Sequence, residues 1–116
     1  MNAQPTPKSL KDLLDMYAEE SAIVLVHLLA EGMSEGYLVG EVIRKTLEAC
    51  NGKVIFRKLL DPSASLLCNE FQLYRNPIFL IIHKGKLVNS FNGIIGAQQL
   101  SNTIHQLHKK GYKKTA

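Results

Sequence analysis

Apolar residues in this chain follow two patterns that alternate along it. In the first they recur every three or four positions, as in Leu10, Leu13, Leu14 and Tyr17, then Val39, Ile43, Leu47 and Cys50 with Leu38 and Val42 beside that stripe. Ala64, Leu67, Cys68, Phe71 and Tyr74 repeat the spacing, as do Ala97, Leu100, Ile104 and Leu107. Each set covers one face of a helix. In the second pattern apolar residues run on without a break over strand length. Ala22 to Leu29 and the stretch after Pro77 are such runs, which predicts strands covered on both faces, and Lys53 to Leu60 reads as a further strand.

Local chemistry predicts where these elements start and stop. Ser9, with Asp12 three residues on, opens a first helix that runs to about Glu20. Asn51-Gly52 stops the second helix, because both residue types accept the left-handed conformation found at helix ends. Asp61 reads as an N-cap with Pro62 in the first helical position, and Gly111 as the end of the last helix. Pro77 stands at the start of a strand, where a missing N–H is tolerated, and Lys84-Gly85-Lys86 turns the chain into a hairpin spanning 77–91. The predicted order is α-β-α-β-α-β-β-α, a parallel βαβ unit with a right-handed crossover followed by an antiparallel hairpin and a closing helix.

Composition narrows the class. The 116 residues suit one domain at 9–108, with a flexible N-terminal tail at 1–8 and a basic flexible C-terminal tail at 109–116. Lys109, Lys110, Lys113 and Lys114 match the net charge of +4, so the basic balance predicts a solvated tail and no nucleic-acid partner. No apolar run approaches the roughly 20 residues of a membrane span, and MNAQPTPK lacks the apolar core of a secretory signal. A cytoplasmic protein without a membrane partner is expected. The two cysteines, Cys50 and Cys68, sit in apolar helical stripes and read as buried thiols. His105 and His108 have helical spacing but no acidic companions, so neither metal nor cofactor is expected.

Several landmarks, in register from Ala22 to Leu107, resemble the thioredoxins. Val26-His27-Leu28-Leu29-Ala30 matches that family's Val-Asp-Phe-Trp-Ala strand, Gly52-Lys53 its helix-ending pair, and Lys58 a lysine of the following strand. Asn76-Pro77-Ile78 matches the cis-proline motif, and Gly85 and Gly93 match the hairpin glycine and the one after the last strand. The resemblance implies an α/β thioredoxin-like fold, a mixed sheet with helices on both faces, and a cis Asn76–Pro77 bond. Val26 to Gly32, Arg75 to Phe79 and Phe91-Asn92-Gly93 are also similar to phosducin-like thioredoxin domains.

The departures from the family pattern concern its chemistry. The Trp-Cys-x-x-Cys loop falls on Gly32 to Gly36, so Met33 and Gly36 stand at the two cysteine positions. Neither supplies the thiolate that disulfide exchange requires, and the resemblance therefore implies a redox-inactive, non-enzymatic member. The family's buried aspartate falls on His27 while its lysine partner is kept as Lys58, so a buried pair is altered. What the resemblance leaves is a groove around Met33, Tyr37, Asn76, Pro77, Gly93 and Ile94, suited to an extended protein segment or an apolar surface. A chaperone-like or adapter role follows. The alternatives are an oxidoreductase using Cys50 or Cys68 singly, and a homodimeric structural module.

Overall fold

In the computed structural model, which describes residues 6–33 and 36–115 with side chains through Lys109, four strands form one sheet. β1 (Ile23–Leu28) lies between β2 (Val54–Leu59), which runs parallel to it, and β3 (Ile78–His83), which runs antiparallel. β4 (Lys86–Asn92) pairs antiparallel with β3 and forms the far edge. The helices are α1 (Leu10–Met16), α2 (Gly36–Cys50), α3 (Ser63–Phe71) and α4 (Ala97–Thr115), so the element order is the one that periodicity predicts. The first five residues of the expected tail, Ser34 and Glu35 of the redox-loop position, and Ala116 lie outside the described residues.

The continuous apolar runs are buried on both faces because a helix layer covers each. Val24, Val26 and Leu28 of β1 and Ile78, Leu80 and Ile82 of β3 pack with Leu13 and Tyr17 of α1 and Ala64, Leu67 and Cys68 of α3. Ile23 and Leu25 with Phe79 and Ile81 pack on the other side against Ile43 and Cys50 of α2 and Leu100 and Ile104 of α4. Each such side chain contributes about 1.5–3 kcal/mol when taken out of water, so the two central strands carry most of the stabilisation. Cys50 and Cys68 therefore lie on opposite sides of the sheet.

Element ends depart from expectation where tertiary contacts intervene. α1 stops at Met16 and not near Glu20: Glu20 N bonds Tyr17 O at 3.1 Å, and the hairpin tip packs against the turn so closely that a Cβ on Gly85 would meet Ala18 Cα at 2.9 Å. Lys84 and Gly85 both have positive φ, as a two-residue hairpin turn demands. Asn51 and Gly52 likewise take positive φ at the end of α2. α3 begins at Ser63, with Pro62 in the cap position after a cis Asp61–Pro62 bond, so Pro62 is not in the first helical position. Asp61 still caps from one residue further out, its Oδ1 accepting from Ser65 N at 2.7 Å. Gln72 adopts the left-handed conformation and ends α3 at Phe71, which leaves Tyr74 outside the helix and exposed, not on its inner face. α4 continues through Gly111 to Thr115, where a stop was expected; one glycine disfavours a helix by about 1 kcal/mol and does not by itself end one.

Candidate functional site

The C-terminal end of β1 and the loop into β3 come together at one pole of the sheet. The Asn76–Pro77 peptide is cis, Pro77 is buried, and its carbonyl accepts Gly93 N at 2.9 Å. Asn92 Oδ1 accepts Arg75 N at 2.8 Å, tying the segment before the proline to the end of β4. Gly93 has φ +111, and a Cβ there would lie 3.7 Å from Arg75 Cδ, so the arginine stem runs alongside it. Arg75, Asn76, Asn92, Gly93 and Ile94 line an open recess of about 600 Å³.

Ile94 and Ile95 are treated in opposite ways. Ile95 is 6% exposed and belongs to the core under α4, whereas Ile94 is 99% exposed. Ile94 also borders a second, more apolar groove between α2 and α4, lined by Leu38, Val42, Ala97 and others. Leu38 is 79% exposed, although helical spacing placed it beside the buried stripe; α4 does not close over that flank. Glu41 on the groove's rim is bonded by Arg44 at 2.8 Å, which holds its carboxyl below the usual range.

Of the expected groove residues, Asn76, Gly93 and Ile94 share a recess, with Pro77 buried next to them in the chain. Neither recess is lined by Met33 or Tyr37. Met33 is half-buried against the α1 and α3 side of the core, its N–H bonding Ala30 O at 3.0 Å, and Tyr37 projects from the first turn of α2, 71% exposed. Arg75, Asn92 and Leu38 join the site instead. Arg75 and Asn92 each adjoin a landmark residue and fall in segments similar to phosducin-like domains, but neither was expected at the groove.

His27 is fully buried and stacks on Phe79, ring centroids 5.0 Å apart. Lys58 is its register neighbour on β2 but is exposed, so only one member of the expected buried pair is buried. Cys50 and Cys68 are both free and buried. Burial pushes each thiol above its ordinary value, and the Asp61 carboxylate adds to the rise at Cys68. Asp61 itself is held below the usual carboxylate range, first by the Ser65 side chain and also by the N–H groups of Glu31 and Ser65. That carboxylate links the loop after β1 to the start of α3. Among the described residues no group of three or more His, Cys, Asp or Glu could hold a metal ion. Among them also, no helix is long and apolar enough to cross a membrane.

Solved structures with this architecture include thioredoxins. A cysteine-to-serine mutant of the Entamoeba histolytica thioredoxin superposes with a TM-score of 0.59 at 16% identity, over 85% of this chain and 94% of that one. Chloroplastic thioredoxin z gives 0.65 at 17% identity, over 93% and 99%. The Fasciola hepatica thioredoxin gives 0.62 at 19% identity, over 86% and 95%. The chain has a thioredoxin-like fold. The sequence matches no protein-family model and no curated protein, and at these identities the likeness is one of fold. Within the thioredoxin-like fold the recess beside Pro77 stands where the β3 and β4 ends meet the start of α4.

Proposed function

We propose that this chain is a redox-silent thioredoxin-fold module that binds another protein in the cytoplasm, as an adapter or chaperone-like accessory. It holds an extended segment in the recess of Asn76, Gly93 and Ile94. The observation that carries the reading is Ile94, almost wholly in water beside a concave, mixed polar and apolar recess. Covering such a side chain is worth about 1.5–3 kcal/mol, and Leu38 and Tyr37 nearby in the fold add apolar surface on the same pole.

Redox silence rests on two supports. By resemblance Met33 and Gly36 occupy the dithiol positions, and neither a thioether nor a hydrogen attacks a disulfide. The two thiols present are buried and pushed upward, which lowers their thiolate fraction at neutral pH. Unpaired thiols also fit a reducing compartment.

Selection from a random peptide library tests the reading. Peptides enriched on the wild type and lost on Ile94→Asp support it; no enrichment, or enrichment indifferent to that substitution, overturns it. Insulin reduction that disappears in Cys50→Ser or Cys68→Ser would establish the oxidoreductase instead. Sedimentation showing a dimer disrupted by Ile94→Asp would establish self-association.

A further inference from the structure

Charge is distributed unevenly along the chain. All ten carboxylates lie at or before Glu70, whereas Arg75, Lys84, Lys86, Lys109, Lys110, Lys113 and Lys114 follow it without a single acidic residue. Part of this excess collects at the pole away from Pro77. The fifteen residues of α2, at about 1.5 Å each, separate the two poles by roughly 22 Å.

At that far pole the end of α2, the segment leading into β2 and one face of α4 enclose an open recess of about 560 Å³. Lys53, His105, His108 and Lys109 line it together with Asn51 and Asn102, and the remaining lining residues are Ala49 and Cys50. No carboxylate lines it, and among the described residues none of the four basic side chains has an ion-pair partner. His105 and Lys109 are four residues apart, and Asn102 three before His105, so helical spacing stacks them along a single face.

The end of a helix would ordinarily repel an anion through its unpaired carbonyls. Here three of the last four are engaged: Leu47 O and Glu48 O accept from Asn51 N at 3.1 and 3.2 Å, and Cys50 O accepts from Lys53 N at 3.0 Å. The polar side chains that line the recess come from two helices and a connecting turn, and each can donate N–H groups. Ammonium groups, imidazoles and carboxamides in combination suit a compact oxyanion, to which charge-assisted hydrogen bonds are the strong ones.

We infer that this recess is a binding site for a phosphate-class oxyanion, borne by a small ligand and separate from the groove beside Pro77. Lys53 and Lys109 supply fixed charge, and His105, His108, Asn51 and Asn102 add ring and carboxamide N–H donors. A recess of about 560 Å³ bounded by two helices and a turn suits a small ligand better than a long polyanion, which needs an extended stripe.

The test is an amide-shift titration of the isotope-labelled full chain with pyrophosphate. Saturable shifts centred on Asn51, Lys53, Asn102 and His105 are expected, with Lys53→Gln and His105→Gln each weakening binding about tenfold. Both side chains are exposed, and unchanged melting of the variants confirms that folding is intact. Non-saturating shifts spread over all lysines, or variants that keep wild-type affinity, would overturn the site. Binding of an oligonucleotide at these residues without any binding of pyrophosphate would overturn the small-ligand assignment.

Discussion

The two poles of the α2–α4 layer carry opposite surfaces. At one, Leu38 and Ile94 lie exposed beside a recess built around a cis-proline; at the other, two lysines and two histidines surround a recess without an acidic group. Both are built on the same core, since Phe79 and Ile81 of β3 pack with Ile43 of α2 and with Leu100 and Ile104 of α4. The difference teaches that this fold separates what holds it together from what it displays. The sheet interior is apolar apart from His27, and the surface chemistry is set by the few residues where helices start and finish.

The most disruptive way to break the comparison is to remove the shared support. Phe79→Ala deletes a fully buried ring that stacks on His27, and a loss of about 3–5 kcal/mol in urea unfolding is expected, degrading both poles together. A neighbouring pair separates core from display. Ile95→Ala should destabilise by about 2–4 kcal/mol, while Ile94→Ala should stay within about 0.5 kcal/mol; equal effects would show that Ile94 is not a surface residue.

Thiol reactivity distinguishes binding from thiol chemistry. Native Cys50 and Cys68 should react with a disulfide reagent at least about tenfold more slowly than in urea-unfolded chain, because burial both shields them and raises them above their ordinary range. A smaller effect concerns the junction made by Asp61. Its carboxyl is lowered in the folded protein, so its stabilisation is present above the ordinary carboxylate range, near pH 4, and is lost as pH falls through the lowered value. Asp61→Asn should therefore melt below the wild type at neutral pH and converge with it on acidification.

Much of this was legible beforehand. The runs in β1 and β3 predict strands covered on both sides, and all six residues of β1 are buried. Asn51-Gly52 and Lys84-Gly85 mark ends and turns through conformations that those residue types tolerate, and the positive φ values are found there. Residues 32–36 contain no cysteine, which is a matter of residue identity alone. Less legible were Tyr74 and Leu38, whose helical spacing was right but whose surroundings were not: Gln72 ends α3 early, and α4 leaves the flank of α2 open. Met33 and Tyr37 line neither recess described at the Pro77 pole, while Arg75 and Asn92 do line one.

The sequence by itself determined the elements, their order and the two buried faces of the sheet, because periodicity and turn chemistry act between residues a few positions apart. Only the tertiary structure decided which apolar side chains stay in water and which cations converge. Ile94 differs from Ile95, and His105 joins Lys53, through packing between segments far apart in the chain, where local pattern carries no information.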